Sequence, residues 1–266
     1  MAERPPNRYA RLLSHVFNAN YQEGATRVPF TRSDLVSASQ ELGVPLPKNL
    51  GDAIYAQRYR ARIPPSIASR APYGKRWVIR GTGRSRYEFA AVTFDHVVPN
   101  NALVVIKVPD ATPELLMANR LGDEQALLAI VRYNRLVDLF LGITAYSMQN
   151  HLRTTVAGIG QVEVDELYVG VDRNGGQYII PVQAKGGRDQ IGVVQTEQDL
   201  AMCAAKFPKL VARPVAAQFM VDDVIALFEL TLQGDDVAIV DEKHYKLVPR
   251  DQISDTDLAS YRQRSS

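Results

Sequence analysis

The chain has 266 residues, of which 46% are hydrophobic and 23% charged, and this composition favours one large globular domain or two ordinary ones over a disordered chain. No apolar run reaches the about 18 residues that a transmembrane helix needs, and the first residues lack the apolar core of a signal peptide, so the sequence predicts a cytoplasmic protein without membrane contact. The single cysteine, Cys203, excludes an internal disulfide and a cysteine-based zinc site.

The net charge of +2 conceals two regions of opposite sign. Residues 1–95 carry 15 Lys and Arg against 7 Asp and Glu, a balance of +8, and residues 96–266 carry 16 against 22, a balance of −6. A basic front region is typical of a surface that contacts a polyanion, and a solvated basic surface is the alternative.

The front region predicts two helices followed by a β-hairpin. A capped apolar stripe predicts a helix over 31–42, and "NLGDAIYAQRYRAR" predicts a second over 49–62, which "IPPS" ends. "KRWVIRGTGRSRYEFAAV", residues 75–92, reads as strand, glycine turn and strand. Helix, turn, helix and hairpin is the order of a winged helix, so we predict a winged-helix-like DNA-binding domain over 1–95. Its predicted DNA-binding residues are Arg58, Arg60 and Arg62 on the second helix and Arg80, Arg84 and Arg86 near the wing.

The rear region, 96–266, predicts a second domain of alternating helices and strands. Its order is a strand in "ALVVIKV", a long amphipathic helix over 123–142, a helical continuation over 144–156, a hairpin over 162–187, a helix over 189–207, two strands over 211–220 and 224–232, and a charged peripheral tail.

The hairpin "VEVDELYVGVDRNGGQYIIPVQAKGG" carries the most informative pattern in the chain. Asn174-Gly175 predicts its turn, which sets Asp165 opposite about residue 184. Side chains alternate along a strand, so one face is almost wholly apolar. That face holds Val162, Val164, Tyr168, Tyr178, Ile180, Val182 and Ala184, whereas the other face gathers Glu163, Asp165, Gln183 and Lys185 far from the turn. Glu166 falls on the apolar face and has no predicted role.

Two readings of these four polar residues remain open. Two acids, an amide oxygen and a lysine on rigid strands suit a magnesium site with an adjacent cation. The same residues also suit a cross-strand salt bridge, which stabilises an exposed hairpin by less than about 1 kcal/mol.

The hairpin resembles the active site of the PD-(D/E)XK nuclease superfamily, which has the restriction-endonuclease-like fold. In that superfamily an acid lies on one hairpin arm and an acid-x-Lys motif on the next, within a core of helix, strands, helix and strand. The matching residues here are Asp165 and Gln183-Ala184-Lys185, and the resemblance covers roughly 122–232. The Gln-x-Lys form is similar to the variant of Mrr-like restriction endonucleases.

The resemblance implies an α/β (α+β) fold in which the second domain has a central mixed sheet flanked by helices. It also implies a magnesium-dependent endonuclease of restriction or defence type, which hydrolyses the phosphodiester bonds of double-stranded DNA as a homodimer, with Mn²⁺ as a possible substitute. Asp165, Gln183 and the Ala184 carbonyl are the expected metal ligands, and Lys185 orients or activates water. We hypothesise that Glu163 restores the charge that a glutamine at 183 lacks. Glu124 and Gln149 are alternative candidates for an additional ligand.

Two other functions fit the same residues: a repair or recombination nuclease, and a non-catalytic DNA-binding regulator whose nuclease site has decayed. The four histidines are far apart in sequence and have no zinc-ligand spacing, so a zinc hydrolase is poorly supported. His151 is expected to cap or pack a helix.

Overall fold

A computed structural model describes residues 8–46, 50–59, 62–119, 124–186 and 189–264. The chain divides into two compact units, and the division falls after His96, next to the predicted boundary between 95 and 96. The first unit also includes 155–161 and 192–198, and the second unit holds the remainder.

The first unit combines short helices with a three-stranded antiparallel sheet in the order β1-β3-β2. Its elements are α1 (Arg8–Asn20), β1 (Arg27–Thr31), α2 (Arg32–Leu42), α3 (Leu50–Tyr59), α4 (Pro65–Ala68), β2 (Arg76–Gly83) and β3 (Arg86–Val92). A reciprocal capping box between Thr31 and Asp34 starts α2, and Gly43 in a left-handed conformation ends it. Phe17 packs edge-on against Trp77 and Phe89 at the centre of the core. The two predicted helices and the predicted hairpin are thus confirmed.

The remaining elements include a large mixed sheet. Six elements precede the turn of the hairpin predicted over 162–187. They are β4 (Val105–Pro109), α5 (Glu114–Asn119), α6 (Glu124–Tyr133), α7 (Leu136–Leu141), β5 (Thr144–Val156) and β6 (Gly160–Val171). They are followed by β7 (Gln177–Lys185), α8 (Val193–Lys206), β8 (Val211–Ala212), β9 (Val215–Phe219), β10 (Val224–Gln233), β11 (Asp236–Val248) and α9 (Asp255–Arg264).

In the described part of the chain this sheet has eight strands in the order β4-β11-β10-β9-β7-β6-β5, with β8 beside β7. Strands β7 and β9 run parallel, as do β4 and β11, whereas β6 and β7 run antiparallel. Both classes of pairing occur because helices α6 to α8 separate some strands along the chain and tight turns join others. The protein is therefore a mixed α/β structure.

The predicted apolar face of the hairpin is confirmed. Tyr168, Ile180, Val182 and Ala184 belong to one buried core, and α6 and α7 contribute Leu127 and other apolar side chains to it. Leu167 and Ile179, which have the other parity, are also fully buried. The sheet is thus covered on both faces around the hairpin, which explains its nearly continuous apolar runs.

Three predicted elements are wrong. The predicted helical continuation over 144–156 is the edge strand β5, because it pairs beside β6 and residues 146–151 are exposed without an apolar helical stripe. The predicted peripheral tail contains β11, which lies between β4 and β10 and buries Val237, Tyr245 and Val248. The long helix over 123–142 breaks between α6 and α7, where Arg135 adopts a left-handed φ of 50°.

None of the helices in the described part of the chain has the length and apolar character that crossing a membrane requires.

Candidate active site

The hairpin of β6 and β7 holds the predicted site in a fixed register. Its ladder runs from Val171 opposite Gln177 to Glu166 opposite Val182, so it differs by one residue from the predicted pairing. Asp172 shapes the turn, because its carboxylate accepts hydrogen bonds from the amides of Asn174 and Gly176. Beyond the ladder, at the end far from the turn, hydrogen bonds between site side chains and the backbone connect the two strands.

Asp165 and Lys185 meet Glu124 at this end of the hairpin. The Ala184 amide donates to Asp165 Oδ2 at 2.9 Å, and Lys185 Nζ donates to Glu124 Oε1 at 2.7 Å. Glu124 is the first residue of α6, so an acid from the helix before the strands lies at the predicted lysine. Gln149, the other candidate for an additional ligand, lies exposed on β5.

Asp165 is a carboxylate in an unfavourable environment for its charge. Burial raises the pKa of Asp165 above its ordinary value, and the hydrogen bond from Ala184 and the charge of Lys185 only partly oppose this rise. The negative charge of Glu124 raises the Asp165 pKa further. Two neighbouring carboxylates therefore share the positive charge of one lysine.

Gln183 is turned towards an acid that the sequence did not indicate. Its side chain is buried, and Nε2 donates to the Glu163 carbonyl oxygen at 3.0 Å and to Asp199 Oδ1 and Oδ2 at 3.2 and 3.1 Å. Asp199 lies on α8 and is 1% exposed. Burial raises the pKa of Asp199 well above its ordinary value, the Gln183 bond opposes this, and the charge of Asp165 adds to it.

Glu163, predicted as part of the site, forms an ion pair with the neighbouring strand. Arg153 Nη2 of β5 donates to Glu163 Oε1 at 2.9 Å, and both side chains are partly exposed. The hypothesis that Glu163 supplies the charge missing at Gln183 therefore gains no support from the geometry. The predicted four residues do not form one cluster: Glu163, Gln183 and Lys185 each have a different acidic or basic partner.

His151 lies on a strand rather than on a helix, so its predicted role in capping or packing a helix is wrong. It belongs to β5, which neighbours β6, the strand that carries Asp165. In its cationic form His151 lowers the pKa of Asp165, which agrees with this position. Its φ of 48° is left-handed, a conformation that histidine adopts more readily than most residues.

Glu166, for which the sequence indicated no role, is a buried ion-pair residue. It is fully buried, and its Oε1 accepts from Arg132 Nε of α6 at 2.7 Å and from Ser147 Oγ of β5 at 2.5 Å. These contacts join α6 to the sheet directly beside the candidate site, so Glu166 has a structural role there.

The donor set suits a magnesium ion held by few protein ligands. Within the described ranges no three side chains of the types His, Cys, Asp and Glu are grouped as a metal site. Magnesium, however, commonly binds one or two carboxylates and completes its shell with water and substrate phosphate. Asp165 and Glu124 supply two carboxylates, and the Gln183 side chain and the Ala184 carbonyl supply neutral oxygens. These residues fit the ion.

Three of the predicted DNA-binding arginines are exposed. Arg84 and Arg86 lie at the turn between β2 and β3, and Arg62 lies outside the helices and strands, C-terminal to α3. Their guanidinium groups are at the surface, where a phosphate could reach them. Arg62 was predicted within the helix and instead follows it.

The other predicted arginines have structural contacts or are not described. Arg80 forms a two-bond ion pair with Glu197, at 2.8 and 2.5 Å, and is largely buried. Arg58 Nε donates to the Ile79 carbonyl oxygen at 3.2 Å, which ties α3 to β2. Arg60 lies outside the described residues.

Comparisons with protein-family models, with curated proteins and with solved structures gave no match to this chain.

Proposed function

We propose that the protein is a magnesium-dependent DNA endonuclease of the PD-(D/E)XK type that acts in restriction or defence. The observation that carries this proposal is the convergence of Asp165, Lys185 and Glu124 from β6, β7 and α6 at one end of the hairpin. The order of two helices, three strands, a helix and two strands from α6 to β9, with β7 parallel to β9, supports the same assignment.

In the proposed reaction, Asp165 and Glu124 would hold the metal ion, together with oxygens of Gln183 and Ala184. When bound, Mg²⁺ polarises the scissile phosphate and lowers the pKa of its water ligands. Lys185 Nζ donates a hydrogen bond that orients the attacking water and offsets negative charge on the phosphate oxygens. The water oxygen forms a bond to phosphorus while the bond from phosphorus to the leaving sugar oxygen breaks. The attacking water gives one proton to the solvent, and the leaving sugar oxygen takes one proton from the solvent.

The first unit supplies DNA binding in this proposal. Its order of helix, strand, three helices, strand, turn and strand supports a winged-helix-like domain. The wing corresponds to the turn between β2 and β3, where Arg84 and Arg86 are exposed. Cutting both strands of a duplex requires two active sites, so we expect a homodimer, and we expect it to act in the cytoplasm.

One observation favours a second candidate, a non-catalytic DNA-binding regulator. Lys185 is already paired with Glu124, and the Gln183 amide is paired with Asp199, so each could be a purely structural contact. Such a protein would bind duplex DNA and leave it intact.

Plasmid cleavage separates these functions. The purified protein is incubated with methylated and unmethylated plasmid in Mg²⁺, in Mn²⁺ and in chelator, beside the variant Asp165→Asn. We expect nicked and linear products only with metal and only from the wild type. Discrete fragments indicate a restriction enzyme, whereas cutting at structural features such as ends or flaps indicates a repair enzyme. DNA binding without cleavage under every condition would refute the nuclease proposal.

A further inference from the structure

The amide of Gln183 has only one orientation that its surroundings permit. Its nitrogen faces three acceptors, which are the Glu163 carbonyl oxygen and the two carboxylate oxygens of Asp199, all within 3.2 Å. Rotating the amide by 180° would put its oxygen against the Glu163 carbonyl oxygen, which has no hydrogen to donate. Both amide hydrogens are therefore directed towards Glu163 and Asp199, and Oε1 points away from them.

The same contacts determine which residue type position 183 can accommodate. A glutamate would put a second carboxylate about 3 Å from Asp199 at a site where both side chains are almost completely buried. It would also face the Glu163 carbonyl with an acceptor instead of a donor. Glutamine avoids both conflicts, because its nitrogen donates to all three oxygens.

We propose that Asp199 is a positioning residue that fixes the Gln183 amide, so that Oε1 is presented as a neutral ligand. The same contact makes glutamine the required residue at the first position of the Gln-x-Lys motif. The inference rests on the proposed function in taking Oε1 of Gln183 as a metal ligand. The acid associated with position 183 is thus Asp199 on α8, and Glu163 is not needed to replace it.

Four proteins test the proposal: the wild type, Gln183→Glu, Asp199→Asn and the double variant. Gln177→Glu is the matched control, because it makes the same chemical change at an exposed position of the same strand. Each protein is unfolded by heat and by urea, and the binding of Mg²⁺ and Mn²⁺ is measured by calorimetry without DNA. Cleavage is then titrated with Mg²⁺.

In unfolding, we expect Gln183→Glu to lower the melting temperature by about 5–10 °C, since it buries two like charges together. The double variant should regain most of this loss, because the side-chain amide introduced at position 199 can donate to the new carboxylate. The recovery should be incomplete, since the Glu163 carbonyl loses its donor. Gln177→Glu should melt within about 1 °C of the wild type. A Gln183→Glu protein as stable as the wild type, or a double variant no more stable than that single variant, would overturn the proposal.

In metal binding, we expect Asp199→Asn to retain the fold and its stability while weakening Mg²⁺ affinity by about 10-fold. This factor is the lower end of the range of affinity losses that follow mutation of a residue that orients a metal ligand. A residue that only stabilised the fold would not change affinity at constant stability. Unchanged affinity in calorimetry would overturn the positioning role. If the wild type binds Mg²⁺ but does not cleave DNA, the nuclease proposal fails, whereas the stability and affinity results still decide the role of Asp199.

Discussion

Replacing Lys185 with methionine is the sharpest test of the candidate site. Methionine keeps most of the aliphatic length of lysine and removes only its charge and its hydrogen bonds. In the wild type, Lys185 Nζ contacts Glu124 at 2.7 Å and opposes the rise in the Asp165 pKa. The variant therefore leaves two carboxylates without their shared cation.

The structure predicts a small effect on stability and a large one on catalysis. The side chains of Lys185 and Glu124 are 19% and 37% exposed, so their ion pair contributes about 0.2–1 kcal/mol to folding. For a chain of this size that free energy corresponds to at most about 4 °C in melting temperature. Loss of a positioned donor that stabilises transition-state charge costs about 2.7–4 kcal/mol, or about 10²–10³-fold in cleavage rate.

Single-turnover plasmid cleavage and thermal unfolding of the same preparation measure both effects. Lys243→Met is the matched control, because Lys243 pairs with Asp241 at 3.3 Å on the surface of β11. We expect the control to retain wild-type activity and Lys185→Met to lose it while remaining folded. Cleavage by Lys185→Met within about threefold of the wild type, which is only about 0.65 kcal/mol of barrier, would refute the assigned role. An equal loss of activity in both variants would do the same.

Three further predictions address the surroundings of the site. Alanine at both Arg84 and Arg86 should reduce the log–log salt slope of DNA binding by about 1.8, and an unchanged slope would remove these residues from the interface. Glu163→Gln should need no more Mg²⁺ than the wild type, since Glu163 is paired within the sheet; a higher requirement in the cleavage titration would restore the hypothesis of charge compensation. The pKa of Asp257 is lowered to about 2, chiefly by hydrogen bonds from Ser254. The charge of Asp257 therefore stabilises the fold at pH values above the ordinary pKa of 3.8, and this stabilisation is lost as the pH falls towards 2. Asp257→Asn should therefore be less stable than the wild type in urea at pH 7, with a difference that narrows between about pH 4 and pH 2, and a constant difference would contradict this reasoning.

Elements with short-range signals could be predicted from the sequence. The start of α2 depends on a capping box between residues three apart, and the hairpin turn depends on Asn174-Gly175 and the carboxylate of Asp172. Strands β9 and β10 consist mostly of apolar residues, the majority of which the sheet buries. In each case the residues that determine the structure lie within one element.

Elements that depend on distant partners could not be predicted in the same way. Strand β5 contains the helix-compatible run "SMQNHL" and lies at the edge of the sheet, so neither period two nor an apolar stripe indicates a strand. The acids and lysines of β11 conceal its alternating apolar residues. The pairing of β11 with β4, more than 100 residues earlier, places it inside the sheet.

The partners of the site residues show the same limit. Glu124 is 61 residues from Lys185, and only the packing of α6 on the sheet brings them together. Asp199 did leave a signal in the sequence, because it shares a helical stripe with Met202 and Cys203, three and four residues later, and both are buried. An acid on an apolar stripe indicates a buried carboxylate with a specific partner.

The charges around the hairpin end bear directly on the proposed magnesium site. The Glu163–Arg153 and Glu166–Arg132 pairs are balanced within themselves. Among the described contacts at the hairpin end, Lys185 pairs with Glu124 and, together with His151, lowers the pKa of Asp165, whereas Asp199 has the Gln183 amide as its partner. Burial is the main cause of the raised pKa values of Asp165 and Asp199, because desolvation disfavours the charged forms of both side chains. A magnesium ion bound at Asp165, as proposed, would oppose this rise by placing positive charge beside the carboxylate.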